Sequence, residues 1–174
     1  MAVSLDLSKL SVMDALDLAI LIEEEAHQRY KSFAAQIGRT GNKNDAGAFF
    51  ATMADNEAKH GNDLLARRIE MFGKVPMKVK MTDLFDVEAP DYGAPRKGMS
   101  TLQAFELGLE AEQKAYDFYD KALPGITDPE VRTLFTELRD EETEHVEMLK
   151  EAMAKLPESA SVETENDPDD APFL

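Results

Sequence analysis

Apolar residues recur along this chain in alternating steps of three and four, the spacing that places them on one face of an α-helix. Four segments carry this pattern, and each is bounded by residues typical of helix ends. The predicted helices follow Ser11, Asn44, Ser100 and Asp128 and end near Ile37, Phe72, Leu123 and Leu156. The pattern therefore predicts an all-α protein with four long helices.

The connection between the second and third predicted helices is much longer than the other two. It covers residues 73–99 and contains Pro76, Pro90 and Pro95. Adjacent antiparallel helices are usually joined by short loops. The length of this segment therefore predicts a long crossover between helices 2 and 3.

Charged or polar residues interrupt the apolar face of every predicted helix. A buried carboxylate costs several kcal/mol or more unless it is paired, protonated or bound to metal, and no Lys or Arg shares the face within a turn of the glutamates in helices 2 and 4. Metal binding is the simplest explanation of the pattern. The residues concerned are Glu23, Glu57, His60, Glu112, Glu142 and His145.

The two halves of the chain repeat this arrangement. Glu112 follows Glu23 by 89 positions, and Glu142 follows Glu57 by 85, with a histidine three residues after each of the latter pair. A repeat of helix pairs implies a four-helix bundle with approximate two-fold symmetry, in which these groups converge on a two-metal site. Four carboxylates balance two divalent ions, and oxygen and imidazole ligands favour iron or manganese.

Composition and charge exclude several classes of protein. The net charge of −16 argues against a nucleic-acid partner. No stretch approaches about 18 uninterrupted apolar residues, so we expect no membrane span and a cytoplasmic protein. The absence of cysteine excludes disulfides, iron–sulfur clusters and zinc–thiolate sites.

Part of the negative charge lies in the C-terminal segment. Residues 157–174 contain six acidic side chains and no basic one. Such a segment cannot bury enough apolar surface to fold. We therefore expect one helical domain over residues 1–156 and a disordered acidic tail over 157–174.

With these motifs the chain resembles the rubrerythrin family of the ferritin-like superfamily over roughly residues 11–156. The resemblance implies a ferritin-like four-helix bundle that binds two iron ions, with manganese as an alternative. It also implies that Glu57 and Glu142 bridge the ions. Each ion would then have its own terminal pair of ligands, Glu23 with His60 and Glu112 with His145.

The resemblance also concerns residues around the ligands. Tyr30 and Tyr119, each seven positions after a ligand, match tyrosines that this family places beside its site, and they are the candidate catalytic residues. Ala115 stands where rubrerythrins carry an additional glutamate, and the chain has no cysteine-ligated rubredoxin module. Asn56 and Glu141 precede the paired glutamates and are candidate hydrogen-bond partners of the histidines.

The implied function is that of a non-haem di-iron oxidoreductase that reduces hydrogen peroxide, or activates dioxygen, with electrons from an external donor. Two alternatives stay open, a ferroxidase in iron handling and storage, and a structural bundle that is iron-free or holds manganese. Relatives commonly form dimers, so a homodimer is expected. His27, one turn beyond Glu23, is either a third imidazole near the metals or a hydrogen-bonded core histidine, and Glu24 is expected on a solvated face.

Overall fold

The computed structural model describes residues 7–37, 46–79 and 98–163, and these residues form four long α-helices. The helices are α1 (Val12–Ile37), α2 (Ala46–Phe72), α3 (Thr101–Ala122) and α4 (Pro129–Ala154). Short 3-10 turns occupy Leu7–Lys9, Leu123–Gly125 and Glu158–Ser161. The predicted all-α architecture is confirmed. No helix within the described residues is long and apolar enough to cross a membrane.

Side-chain caps fix where three of the helices begin. The Asp14 backbone N–H donates to Ser11 Oγ, and the Asp14 carboxylate accepts from the Ser11 backbone. Ser100 and Gln103 form the same reciprocal pair at the start of α3. The Asp128 carboxylate accepts two backbone N–H groups of the first turn of α4. These caps satisfy donors that have no partner within the helix, and they lie where the sequence predicted them. The predicted cap at Asn44 lies outside the described residues.

The helices form two antiparallel pairs, α1 with α2 and α3 with α4. Arg68 near the end of α2 contacts Asp17 near the start of α1, whereas Phe49 at the start of α2 stacks on Phe105 at the start of α3, with centroids 4.1 Å apart. The end of α2 and the start of α3 therefore lie at opposite ends of the bundle. The connection after Gly73 must cross its full length, as predicted, although residues 80–97 lie outside the described range.

The core consists of two apolar clusters on either side of a polar layer. One cluster contains Tyr119 and Phe135, whose rings pack edge to face at 5.4 Å. The other contains Tyr30 and Phe50, stacked at 6.0 Å. Tyr30 and Phe50 are the repeat partners of Tyr119 and Phe135, so the same two residue types pack together in both halves, although with different ring angles. The polar layer between the clusters holds the glutamates of the candidate site.

Small residues form much of the buried face of α3. They are enclosed by the neighbouring helices, whereas the bulky Leu102, Phe105 and Leu109 are only half-buried. A Cβ atom at Gly108 would lie 2.7 Å from Cζ of Phe49, so glycine allows α3 to approach α2 closely. The fully or almost fully buried small residues are Ala104, Gly108, Ala111, Ala115 and Ala122.

A buried ion pair that the sequence analysis did not identify joins α1 to α2. Asp17 is fully buried and Arg68 is 3% exposed, and the guanidinium donates to the carboxylate. The backbone N–H of Lys78 donates to the same carboxylate at 3.3 Å. The pair therefore holds the first part of the crossover against the bundle. Helical periodicity alone did not reveal it, because its partners are 51 positions apart.

The chain continues along α3 after α4 ends. A 3-10 turn at Glu158–Ser161 contacts α3, and the Gln103 side chain donates to the Glu163 carboxylate at 2.7 Å. Residues 164–174 lie outside the described range. The division of the chain at residue 156 and the disorder of the acidic tail stay predictions.

Candidate metal centre

The six predicted ligands lie in two groups of three at mid-height in the bundle. Within each group, one ligand atom from every residue lies within 4.8 Å of the others. All four glutamates are at most 3% exposed, and both histidines are half-buried. The groups are Glu23, Glu57 and His60 on α1 and α2, and Glu112, Glu142 and His145 on α3 and α4.

In the first group, the histidine nitrogen lies between two carboxylates without a close contact to either. Nδ1 of His60 lies 3.4 Å from Oε2 of Glu57 and 3.8 Å from Oε2 of Glu23. Because α1 and α2 run antiparallel, the side chain of Glu23 reaches the helical turn that carries the Glu-x-x-His motif. The polar ends of these three side chains therefore lie close together.

The second group repeats this arrangement with one closer contact. Nδ1 of His145 lies 3.0 Å from Oε2 of Glu112, within hydrogen-bond distance, and 3.4 Å from Oε2 of Glu142. The histidine nitrogen again faces two carboxylates from different helices. The structure therefore places equivalent residues of the two halves in equivalent positions.

The two groups meet through their histidine rings. The imidazoles of His60 and His145 stack with centroids 4.8 Å apart and planes 8° from parallel. This contact lies between α2 and α4, the helices that carry the two Glu-x-x-His motifs. This contact joins the two groups into one centre. The sequence repeat could suggest that the groups lie together, but it could not show which residues are in contact.

Burial of so many carboxylates shifts their proton affinities. Burial, reinforced by the charges of Glu57, Glu142 and Glu112, raises the pKa of Glu23 well above its ordinary value. Burial likewise raises the pKa of Glu142 to about 8, although the neighbouring His145 opposes the shift. All four carboxylates thus lie close enough to repel one another.

Burial alone would lower the pKa of His145. The hydrogen bond that the protonated ring donates to Glu112 and the contact with Glu142 outweigh this effect and raise that pKa to about 11. In the metal-free protein a proton on this ring therefore partly compensates the carboxylates. A cation that takes the position between these groups would replace that proton.

The donor set fits metal ions. Oε2 of Glu23 and Oε1 of Glu112 are buried without a hydrogen-bond partner among the described residues. Leaving a buried polar atom unpaired costs roughly 1–3 kcal/mol, more when it is charged. Divalent cations would satisfy these oxygens, and two of them would neutralise the four carboxylates.

The predicted catalytic tyrosines lie on opposite sides of the glutamate layer. Tyr30 and Tyr119 are fully buried, one in each apolar cluster. Each stands two helical turns beyond a glutamate of the centre, on the same helix face. Their position beside the metals and their catalytic role stay predictions.

The structure also places three residues near the ligands. His27 donates from Nδ1 to the backbone carbonyl of Ala54 at 2.7 Å, a contact between α1 and α2 that does not involve Nε2. Asn56 and Glu141 are exposed, so the structure does not support their predicted contact with the histidines. Residues directly before a buried glutamate point away from the site, because one step along a helix turns the side chain by about 100°.

Comparisons with known proteins agree with this architecture. The sequence matches the Rubrerythrin family over residues 14–153, and no curated protein matches it. An uncharacterized conserved protein from Magnetospirillum magnetotacticum MS-1 superposes with a TM-score of 0.66 at 24% identity, over 85% of this chain and 97% of that one. A hypothetical protein from Pyrococcus furiosus gives 0.51 at 24% identity, over 87% and 95%.

Ferritin-like, diiron-carboxylate proteins from Bacillus anthracis str. Ames give a lower TM-score of 0.49 at 20% identity, over 86% of this chain and 99% of that one. The structures from Magnetospirillum magnetotacticum and Pyrococcus furiosus support only the fold at these identities, whereas the family match covers the four helices and both halves of the site. The predicted resemblance and the four-helix bundle are therefore confirmed. The chain belongs to the Rubrerythrin family.

Proposed function

We propose that this protein is a non-haem di-iron oxidoreductase that reduces hydrogen peroxide, or activates dioxygen, with electrons from an external donor. The observation that carries the proposal is the pair of matching Glu/Glu/His groups joined by the stacked rings of His60 and His145. Two metal positions side by side suit a substrate with two adjacent oxygen atoms. Iron is the proposed metal, with manganese as the alternative that the same ligands accept.

The proposed reaction converts hydrogen peroxide, two protons and two electrons into two molecules of water. When bound, a pair of ferrous ions would supply the two electrons and the Lewis acidity that favours breaking the O–O bond. Glu23, Glu57 and His60 would hold one ion, and Glu112, Glu142 and His145 would hold the other. The four negative charges of the glutamates would keep the loaded centre close to neutral.

The surrounding residues would prepare the site for this chemistry. The two apolar clusters enclose the glutamate layer from both ends of the bundle, which limits the access of water. Tyr30 and Tyr119 flank the layer, and we propose that their hydroxyls donate protons or hydrogen bonds to the oxygens of the substrate. Their aromatic neighbours hold the rings in place.

We propose an external electron donor, because these 174 residues include no cysteine for an iron–sulfur or rubredoxin-type centre. We propose a cytoplasmic homodimer that receives electrons from a reductase and has neither nucleic acid nor membrane as partner.

Stopped-flow absorbance tests the proposal. The ferrous protein, mixed with peroxide under argon, should react with about one peroxide per metal pair and then stall. Addition of a flavin or rubredoxin reductase system should restart turnover. Tyr30→Phe and Tyr119→Phe, which keep the ring packing, should bind two metals normally and react about tenfold or more slowly.

A matched control and a competing outcome sharpen the experiment. Glu144→Gln changes an exposed glutamate on the same helix as Glu142 and should leave the peroxide rate unchanged. Continued consumption of Fe(II) added beyond the site stoichiometry would instead identify a ferroxidase. No oxidation of bound Fe(II) by peroxide or dioxygen would contradict both redox functions and favour a structural bundle.

A further inference from the structure

A cavity of about 250 Å³ lies between α1 and α2 and reaches the first metal group from the surface. Glu23 and Glu57 form its buried end, whereas Glu24, Gln28 and Asn62 are exposed at its outer end. Oε2 of Glu23 is enclosed by protein and has no hydrogen-bond partner among the described residues. The cavity thus extends from the surface to a glutamate that carries an unsatisfied buried oxygen.

Small residues on α2 keep this cavity open. Ala58 and Gly61 line it, and a Cβ atom at Gly61 would already lie 3.3 Å from Cβ of Glu23. The repeat places Thr143 and the buried Val146 at the equivalent positions of α4. The two halves of the site therefore match in their ligands and differ in the size of the residues beside them.

His27 is one of the residues that line this cavity. A carbonyl oxygen can only accept, so the contact of Nδ1 with the carbonyl of Ala54 at 2.7 Å requires the proton on Nδ1. In the neutral ring Nε2 is then the unprotonated nitrogen. Histidines that ligate metals commonly donate their other ring N–H to a carbonyl in this way.

Glu24 precedes His27 by three residues, which makes a third Glu-x-x-His motif at the outer end of the cavity. Its Oε1 accepts a hydrogen bond from Gln28 at 3.2 Å. The residues that line the cavity include three glutamates and no lysine or arginine. Clefts lined by one sign of charge concentrate ions of the opposite sign.

We propose that this cavity is the route by which divalent cations reach the metal centre, with Glu24 and His27 as their first, transient ligands. A cation would pass from this outer pair to Glu23 and Glu57 at the buried end and fill the centre from the α1–α2 side. The proposal rests on metal binding by the centre and not on the peroxide chemistry. It predicts an effect on the rate of loading and none on the final metal content.

The rate of loading can be followed through tyrosine fluorescence, because the chain has four tyrosines and no tryptophan. Chelator-treated protein is mixed anaerobically with Fe(II) in a stopped-flow instrument, and quenching reports metal arriving near Tyr30 and Tyr119. Metal content after equilibration is measured separately by mass spectrometry. Circular dichroism verifies that each variant is folded.

Two kinds of variant test the proposed outer ligands and the width of the cavity separately. The double variant Glu24→Gln with His27→Gln removes the charge and the imidazole, while the new amide can still donate to the Ala54 carbonyl. Ala58→Leu narrows the cavity. Both should load about tenfold or more slowly than the wild type and still bind two ions. The repeat-equivalent Thr143→Leu and the exposed Glu144→Gln should load within about twofold of the wild type.

Several results would overturn the proposal. Unchanged loading in both variants would show that cations enter elsewhere. Slow loading in Ala58→Leu alone would overturn the role of Glu24 and His27 as ligands, and equal slowing by Thr143→Leu would overturn the one-sided route. If the wild type takes up fewer than two ions at equilibrium, the metal centre itself fails and the route fails with it.

Discussion

Replacing Glu142 by glutamine should stabilise the metal-free protein, although it removes a candidate metal ligand. The side chain is 3% exposed, and burial raises its pKa from 4.5 to about 8. Glutamine has nearly the same shape and needs no proton in order to be buried. The substitution therefore removes a cost that the carboxylate imposes on folding when no metal is present.

The pKa gives the size of this effect. At pH 7 the carboxyl is ionised in the unfolded chain and mostly protonated in the folded metal-free protein. The protein thus binds a proton on folding, and this contribution to stability falls as the pH rises from about 4.5 to about 8. The interval between 4.5 and pH 7, at about 1.4 kcal/mol per pKa unit, corresponds to about 3 kcal/mol.

Glutamine does not recover the whole free energy that the carboxylate costs. Oε2 of Glu142 lies 3.4 Å from Nδ1 of His145, and weakening that contact costs about 1 kcal/mol. We therefore expect a net gain of about 2 kcal/mol at pH 7. At pH 5 the penalty on the wild type is below about 1 kcal/mol, so the gain should nearly vanish.

Urea unfolding followed by far-UV circular dichroism measures both values, with chelator present. Glu144→Gln serves as control, because Glu144 is exposed on the same helix and its replacement should change the free energy of unfolding little at either pH. With metal added, Glu142→Gln should become the less stable protein. A loss of stability at pH 7 without metal, or a gain of equal size at both pH values, would refute the reasoning.

Three further predictions follow from the same contacts. The double variant Glu57→Ala with Glu142→Ala should abolish metal binding in elemental analysis, whereas Glu24→Ala should retain two metals at equilibrium; one or no metal in reconstituted wild type would contradict the ligand set. Metal affinity measured by calorimetry should rise between pH 6 and pH 8, because metal displaces protons held by buried groups of raised pKa; a flat profile would argue against buried carboxylate ligands. Asp17→Ala should lower the free energy of unfolding by about 3–5 kcal/mol, since it leaves the Arg68 guanidinium buried without its carboxylate. A change below about 1 kcal/mol would show that the guanidinium is rehydrated.

Much of the fold could be predicted from the sequence because its signals are local. Helix caps such as Ser100 with Gln103 are satisfied within one turn, so they specify helix starts without knowledge of the rest of the chain. The six candidate ligands stand out for a related reason. A carboxylate on an apolar helix face is costly wherever that face is buried. The helical pattern alone therefore identifies Glu23 and its counterparts as candidate ligands.

Contacts between helices depended on the tertiary structure. Gly108 was not predicted to matter, and its role follows from the distance at which Phe49 crosses α3. The buried pair of Asp17 and Arg68 was missed because each residue alone fits a solvated position, and only the antiparallel packing of α1 on α2 brings them together.

The sequence by itself determined the number of helices, their ends and the kinds of side chain that share the centre. The tertiary structure decided how these side chains are arranged: that His60 stacks on His145, and that the Glu24 and His27 motif lies at the outer end of a cavity. Periodicity along a helix fixes the direction of a side chain relative to its own axis, whereas distances between helices depend on how closely their surfaces pack. The spacing of Glu24 and His27 along the chain therefore could not show that they lie beside the centre. Only the packing of α2 against α1 places them there.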